Sequence, residues 1–412
     1  MRLTLLSICL LAVSVAPVSA KQKQPKQEKL ATLLKNAKDA IKNQNGQDAA
    51  RNALLGALAR PELKTVERAD IYYTAALLEE SVNAVENKKA YLKQPYDTAK
   101  FFNKLSDMYG QLRLCDSTDI LPDAKGRIHP RLQKKTNELR LRHRPNIYGG
   151  GKYYLAKKNY KVAYTFFDLY CCYKDDSEQD ANYPNAVQWA ALSAFQVDDY
   201  QGTIKHADAA ISYSDSATAA IIQEYKVRSF SMLKNDSAWV AALWEGVKKY
   251  PQHDYFFVQL ADWYHGQRNF AEARRLADLL IARVGGRAIY YYAKSKNYLS
   301  EENYEACIAC SDSTIALQPD FVDAYYNKGI SYLNMAVISH EMSEKDVKSP
   351  QYLIDKQKTQ QLYQKARPSM EMVRRLEPEN QDRWASPLYR IYLNLNLGEE
   401  FDEIERLLNR KK

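Results

Sequence analysis

Residues 151–167, GKYYLAKKNYKVAYTFF, carry a pattern of small and aromatic residues that recurs along the chain. Counted from the opening glycine, tyrosines come three and nine positions later (Tyr154 and Tyr160), an alanine comes twelve positions later (Ala163), and Phe167 comes sixteen positions later. A repeat of fixed period indicates an array of similar supersecondary units, so the other copies determine the architecture.

Further copies of the pattern follow at nearly constant steps. They open at Ala191, Val227, Ala261, Ser295 and Gly329. The openings at positions 151, 191, 227, 261, 295 and 329 are separated by 40, 36, 34, 34 and 34 residues. The period is therefore 34 residues, with short insertions in the first two steps.

The unit that opens at Gly329 is interrupted. Its second half begins at Tyr363, 34 residues later, where the other units require nine. The extra 25 residues place an insertion at about 337–361, which includes the polar and charged stretch Ser339–Leu353. A final partial copy runs from Trp384 to the end of the chain.

Each unit is interpreted as a pair of antiparallel helices. Small residues such as Gly151 and Ala163 let the two helices approach closely, and aromatic residues such as Phe167 fill the space between one pair and the next. A proline after the second helix, as at Pro319, cannot continue it. One pair cannot bury its apolar faces alone, whereas a stack of pairs can.

From about Asn146 to Arg410 this pattern resembles the tetratricopeptide repeat family. The resemblance implies an all-α fold, an α-α superhelix or solenoid of antiparallel helix pairs. Upstream, the stretch Tyr96–Phe102 and the tripeptide Leu114-Cys115-Asp116 are similar to exported tetratricopeptide proteins of Bacteroidota-type bacteria. That narrower similarity implies no defined activity.

The first residues indicate an exported protein. Arg2 precedes an apolar run from Leu3 to about Val15, and the small residues Ser19 and Ala20 follow. We predict a signal peptide over residues 1–20, because the run is too short to span a bilayer and a small-residue ending suits cleavage. The alternative is an uncleaved anchor. The mature chain is expected to be periplasmic or envelope-associated if the source is a Gram-negative bacterium.

The sequence predicts four segments. They are a signal peptide (1–20), an N-terminal helical region of degenerate repeats or a cap (21–121), a basic linker (122–145), and tetratricopeptide-like repeats with the insertion (146–412). In the second segment Leu30, Leu33, Ala37 and Ile41 follow helical spacing, although the repeat pattern is weak there.

The segment around the predicted linker is strongly basic. Its positive residues are Lys125, Arg127, Arg131, Lys134, Lys135, Arg140, Arg142, Arg144 and Lys152, opposed only by Asp123 and Glu138. The favoured interpretation is the solvated face of a helix between Pro130 and Pro145. The alternative is a patch for phosphate, lipopolysaccharide or an acidic protein. No aromatic residues interleave to stack bases, and the net charge of +9 does not require a nucleic-acid partner.

Patterns that carry catalysis or bind cofactors are not found in the sequence. The six histidines have no metal-ligand spacing on a helix, and the glycines before Lys152 lack the Lys-Ser/Thr of a phosphate loop. Cys307 and Cys310 form C-x-x-C, but on a helix one is a packing residue and the other its neighbour, which is favoured over a redox or metal site. We therefore predict no enzyme, metal or cofactor.

The tetratricopeptide resemblance implies where a partner would bind. In that family the first helix of each pair lines the concave groove, which takes a peptide or another protein. Carried over position by position, the groove residues are Tyr148, Lys152, Gln188, Arg228, Tyr255, Asp262, His265, Tyr292, Lys296 and Tyr326. The family's carboxylate-clamping set is incomplete, so recognition of a C-terminal carboxylate is not predicted.

Three functions remain open on the sequence. The leading hypothesis is a non-enzymatic scaffold or adaptor that binds a partner protein or peptide in the groove. The alternative is an outer-membrane-associated glycan-binding protein, suggested by 31 Tyr and 5 Trp. The third is an all-helical hydrolase that acts on envelope polymers.

Overall fold

The computed structural model describes residues 28–123, 125–128, 130–173 and 180–409, and these form eighteen α-helices without a strand. The all-α prediction is confirmed. The predicted signal peptide, residues 1–20, lies outside the described residues. No helix among those described combines the length and the apolar character needed to cross a bilayer.

The described residues divide into two compact units. The first comprises the described residues through Gly150 together with Cys172 and Tyr173. Its helices are α1 (Leu30–Asn43), α2 (Gln47–Ala57), α3 (Thr65–Tyr91), α4 (Thr98–Asp119) and the first part of α5 (Gln133–Ala156). The helices α1 to α3 enclose an apolar core that includes Leu33, Leu54 and Ile71.

A buried carboxylate ties three helices of the first unit together. Glu79 of α3 is almost fully buried, and its two oxygens lie 2.5 Å from Arg51 Nη1 of α2 and 2.9 Å from Lys104 Nζ of α4. The two cations offset the free-energy cost of removing the Glu79 carboxylate from water. Because the cations come from α2 and α4, these contacts hold both helices against α3.

The basic segment differs from both of its predicted descriptions. From Gln133 it is not a linker but the beginning of α5, and the helix continues through Pro145. Nor is this part a solvated helix face throughout, because Arg140, His143 and Arg144 are buried. The Arg140 guanidinium pairs with Asp116 of α4 and lies 4.3 Å from the ring centroid of Tyr173. His143 also lies 3.0 Å from Glu80 of α3. These contacts with α3 and α4 stabilise the helix, although Pro145 has no backbone N–H to donate to the preceding turn.

The second unit comprises the described residues of Gly151–Cys171 and those from Asp180 onward. It begins with the end of α5. The helices that follow are α6 (Tyr160–Cys172), α7 (Tyr183–Phe195), α8 (Tyr200–Ser212), α9 (Ser216–Met232), α10 (Asp236–Lys249), α11 (Asp254–Gly266), α12 (Phe270–Val284), α13 (Ala288–Ser300), α14 (Tyr304–Leu317), α15 (Val322–Glu341), α16 (Pro350–Leu376), α17 (Gln381–Leu395) and α18 (Gly398–Asn409).

The two helices within a pair are joined by the same turn in five of these units. One residue in each turn has a left-handed backbone with φ between 55° and 59°: Lys158, Asp198, Lys234, Arg268 and Glu302. The next residue is Asn or Asp and caps the second helix by accepting a hydrogen bond from the N–H three residues on: Asn159, Asp199, Asn235, Asn269 and Asn303. The turns recur at the same steps as the repeat.

Small residues allow the close approach that the pattern predicts. A Cβ atom added to Gly151 would lie 2.7 Å from the ring of Phe167, and Ala163 and Ala273 are completely buried. Prolines at 251, 319 and 378 each come two residues after the last residue of a second helix. The predicted helix pairs and their ends are therefore present.

The residues predicted to form an insertion lengthen an existing pair. Helices α15 and α16 have 20 and 27 residues, against 13 and 14 in the preceding pair. Most of 337–361 therefore continues these two helices, and residues 342–349 connect them. The two helices still pack together at the position that the repeat pattern predicts, because Gly329 of α15 lies against Met370 of α16.

The C-x-x-C motif lies on one regular helix, as predicted. Cys307 is completely buried on α14 and Cys310 is half-buried one turn later. Burial raises the pKa of both thiols, which favours the protonated, unreactive form.

Adding a methyl group at Gly246 should destabilise the second unit. Its Cβ would overlap the buried ring of Phe256, and such overpacking costs about 1–3 kcal/mol, against a gain of about 1 kcal/mol for Ala over Gly in a helix. Urea denaturation should show a lower free energy of unfolding for Gly246→Ala. Gly266→Ala is the control, because nothing lies within 4 Å of its Cβ position. Equal stability of the two variants would contradict the close approach.

Candidate functional site

The first helices of successive pairs lie side by side in the second unit. Contacts join α11 to α13, α13 to α15 and α15 to α17, and side chains join α9 to α11. We call the surface made by α9, α11, α13, α15 and α17 the first-helix face. Seven of the ten predicted groove residues belong to it: Arg228, Tyr255, Asp262, His265, Tyr292, Lys296 and Tyr326.

The first cluster on this face links α9 to the start of α11. Arg228 Nη2 lies 2.5 Å from Glu224 Oε1, and its guanidinium is 5.2 Å from the ring centroid of Tyr255. His253 Nε2 lies 2.7 Å from the second oxygen of Glu224. Burial raises the pKa of the Tyr255 phenol, against the opposing effect of Arg228. Tyr255 therefore remains a neutral hydrogen-bonding group.

The central cluster joins α11 to α13. Lys296 Nζ donates to Asp262 Oδ1 over 2.9 Å. In the same cluster, His265 Nδ1 donates to the side-chain oxygen of the buried Asn297 over 2.7 Å. The acceptor fixes the proton of His265 on Nδ1, so Nε2 is the nitrogen left to accept a hydrogen bond while the ring is neutral.

A cavity of about 100 Å³ opens between these two helices. Its apolar lining is Phe257, Val258, Ala261, Ile289 and Ala293, and its polar lining is Asp262, His265, Tyr292, Lys296 and Asn297. The volume is about three times the 30 Å³ that one water molecule occupies in the liquid. The cavity thus offers both apolar and polar contacts to one small side chain.

The third cluster joins α13, α15 and α17. The rings of Tyr292 and Phe321 are 4.8 Å apart at 40°. Arg383 Nη2 lies 2.6 Å from Asp323 Oδ1, and its guanidinium covers the ring of Tyr326 at 4.6 Å. Burial, with the nearby carboxylate of Asp323 adding to it, raises the pKa of Tyr292 to about 12.

The clusters of the first-helix face contain three ion pairs. The three pairs are Glu224 with Arg228, Asp262 with Lys296, and Asp323 with Arg383. Pairs that remain in contact with water stabilise a fold by only about 0–1 kcal/mol. A ligand with its own charges can therefore separate them at little cost.

The remaining three predicted residues lie outside the clusters. Tyr148 and Lys152 lie on α5, half-buried and exposed respectively, on either side of the boundary between the units. Gln188 donates to Ser214 Oγ over 2.9 Å, in the connection between α8 and α9. It supports that connection.

Sequence reasoning missed several members of the face. Glu224 precedes Arg228 by four residues and Asp323 precedes Tyr326 by three, which places each on the same side of its helix. That spacing could have identified both. Arg383 gave no such signal, because it comes from α17, where the repeat pattern is weakest.

No group of three or more His, Cys, Asp or Glu side chains within the described ranges is arranged to hold a metal ion. The His–carboxylate contacts of this face, such as His253 with Glu224, involve pairs only.

The phenol of Tyr292 should make stability depend on pH in the alkaline range. Its pKa is about 12 in the folded protein, against 10 for an ordinary tyrosine. Between these values the unfolded chain has released the proton that the folded chain retains, so stability falls as pH rises, by up to about 1.4 kcal/mol per pH unit. Partial exposure of the ring reduces this figure.

Urea denaturation of Tyr292→Phe between pH 10 and 12 should show a shallower fall than the parent chain. Tyr213→Phe, an exposed tyrosine of the same unit, is the control. An unchanged slope in Tyr292→Phe would mean that its phenol titrates equally in both states.

Several structural neighbours of this chain are tetratricopeptide repeat proteins. No protein-family model matches this sequence, and no curated protein is significantly similar to it. The C-terminal part of a tetratricopeptide repeat protein from Cytophaga hutchinsonii superimposes with a TM-score of 0.42 at 14% identity, over 62% of this chain and 91% of that one. A tetratricopeptide repeat protein from Parabacteroides merdae gives 0.35 at 12% identity, over 65% of this chain and 98% of that one.

A third neighbour, YrrB, is described as a tetratricopeptide repeat protein with an unusual peptide-binding site. It gives a TM-score of 0.33 at 15% identity, over 47% of this chain and 96% of that one. Because all three scores are below 0.5, the fold assignment depends on this chain's own helices. With antiparallel helix pairs, 34-residue steps and buried small residues where the helices cross, the second unit has the all-α repeat fold of the tetratricopeptide repeat proteins.

Proposed function

We propose that this chain is a non-enzymatic scaffold that binds a segment of another protein along the first-helix face. The observation that carries the proposal is the row of three clusters, in which aromatic rings and paired charges flank a cavity of about 100 Å³. Each cluster joins neighbouring first helices, so a ligand lying across them would touch several repeats.

The dimensions suit an extended peptide. Packed helices are about 8–10 Å apart, and an extended chain advances about 3.3 Å per residue. Every third residue of such a peptide would therefore meet the next first helix. One small aliphatic side chain would enter the cavity, and charged residues on either side would replace the internal partners of Lys296, Arg228 and Arg383.

A glycan is the less suitable ligand. Sugars stack on free aromatic ring faces, whereas the rings of this face already have partners. Arg228 covers Tyr255, Phe321 contacts Tyr292, and Arg383 covers Tyr326. These contacts favour a protein ligand, whose side chains interact with ring edges and with the charges.

Selection of peptides from a displayed library, followed by affinity measurement, tests this proposal. The combined variant Tyr255→Ala, Tyr292→Ala, Lys296→Ala should weaken binding of a selected peptide at least about a hundredfold, because it removes two aromatic contacts and a cation at the centre of the face.

The matched control changes Lys248, Arg275 and Leu279 to alanine on the second helices α10 and α12, where they are exposed. Circular dichroism should show the same helix content in both variants. The single change Lys296→Glu provides a further check, since it reverses a charge without removing a ring. Undiminished binding by the triple variant, or selective binding of polysaccharides in place of peptides, would overturn the proposal.

We further propose that the chain acts outside the cytoplasm, in the periplasm or at the envelope if its source is a Gram-negative bacterium. The apolar run Leu3–Val15 and the small residues Ser19 and Ala20 support this. Mass spectrometry of the protein recovered from its own cells should show Lys21 as the first residue. A mature chain that retains Leu3–Val15 would contradict cleavage.

A further inference from the structure

Hydrogen bonds and packing hold the described residues at both ends of the connection between α4 and α5 in the first unit. Buried Asp119, at the end of α4, accepts hydrogen bonds from the backbone N–H groups of Arg131 (2.7 Å) and Leu132 (2.8 Å). The Leu132 side chain is buried against Ala69 and Cys115. Both ends of the connection are therefore anchored to the core.

A tight turn shapes the middle of the connection. Asp123 accepts from the backbone N–H groups of Lys125 and Arg127, and Gly126 takes the left-handed conformation at φ +74°. Arg127 also forms two side-chain hydrogen bonds to Asp123, over 2.8 and 3.1 Å. The turn is thus held by one aspartate.

Aliphatic side chains remain exposed on this connection although it is anchored. The exposed fractions are 54% for Ile120, 49% for Leu121 and 56% for Ile128. Val66, 40% exposed on α3, lines a cavity of about 220 Å³ together with Leu121, Arg127 and Arg131. Apolar and basic side chains therefore occupy the same surface.

The connection and the first turn of α5 also carry exposed positive charge. Arg127 pairs with Asp123 and Arg131 with Asp70, whereas Lys125, Lys134 and Lys135 are exposed and form no ion pair with any described residue. Lys134 and Lys135 lie in the first turn of α5, which holds no acidic residue. Cations at that end of a helix oppose its dipole, so their position is not explained by helix stability.

We propose that the connection and the first turn of α5 dock the protein on an anionic lipid bilayer through their exposed side chains, which are Ile120, Leu121, Ile128, Lys125, Lys134 and Lys135. The lysines would contact phosphate headgroups while the aliphatic side chains enter the boundary between headgroups and acyl chains. Charge complementarity specifies the occupant, since Lys125, Lys134 and Lys135 outnumber the one exposed carboxylate beside them on α5, that of Glu138.

A bilayer suits this surface better than an acidic protein does. A stable protein interface buries about 800 Å² on each partner around a packed apolar centre. One short connection with three separate aliphatic side chains is small for that purpose. Shallow insertion beside lysines requires only a few such side chains.

Vesicle co-sedimentation of the whole chain tests the proposal. The vesicles are phosphatidylcholine alone, or phosphatidylcholine and phosphatidylglycerol in equal amounts. The parent chain should bind only the anionic vesicles, and less tightly as salt is raised. Changing Lys125, Lys134 and Lys135 to glutamate should reduce binding by more than about a hundredfold. Changing Ile120, Leu121 and Ile128 to serine should reduce it by about tenfold or more.

Matched controls come from the pair α15 and α16. Lys348, Lys356 and Lys358 are exposed, so changing them to glutamate alters the net charge equally. Changing exposed Leu353 and Ile354 to serine controls for loss of apolar surface. Both control variants should bind anionic vesicles like the parent chain.

A fluorescence measurement locates the contact independently of total binding. All five native tryptophans belong to the second unit, so Ile128→Trp places a reporter in the first. Brominated lipids should quench the fluorescence of the tryptophan added in Ile128→Trp. The control is Leu317→Trp, at an exposed position on α14, whose added tryptophan should keep its fluorescence.

Three results would overturn the proposal. The first is that the parent chain binds anionic vesicles no more tightly than vesicles of phosphatidylcholine alone. The second is that the lysine-to-glutamate and aliphatic-to-serine variants of the connection and α5 bind like the control variants. The third is that brominated lipids do not quench the added tryptophan of Ile128→Trp. Loss of an acidic protein partner in the lysine variant, with no parent binding to vesicles, would also overturn it and would identify a protein-binding surface.

Discussion

Each helix pair of the second unit depends on its neighbours, because one pair cannot cover its own apolar faces. The buried residues Val227, Leu243, Phe257, Leu276 and Tyr290 come from five successive helices and form a single cluster. Stacking buries them and at the same time brings the first helices side by side. The first-helix face is therefore a product of core formation, and its side chains need no dedicated loops to hold them.

The regular part of the fold could be predicted because the same residues recur at a fixed spacing. The pattern of small and aromatic residues placed the helix pairs of the second unit, and Gly151 and Gly329 do lie against Phe167 and Met370. It overlooked the Asn or Asp cap before five of the second helices, such as Asn269, although those caps follow the same steps as the repeat. A cap is visible in sequence only when the turn before it is recognised as well.

The first unit and the partners within the site could not be predicted in the same way. Spacing along a helix shows which side chains share a face, but not which neighbouring helix meets that face. Arg140 was therefore expected in solvent, whereas it is buried between Asp116 and Tyr173. Likewise Tyr326 was predicted, but Arg383 from α17, which covers its ring, was not.

The capped turn has a consequence for how the second unit folds. The hydrogen bonds of each turn join residues that are close in sequence. A helix pair can therefore form before distant parts of the chain come together. Contacts of short sequence separation give fast folding, and an array of such pairs can nucleate at more than one place and grow by adding neighbours.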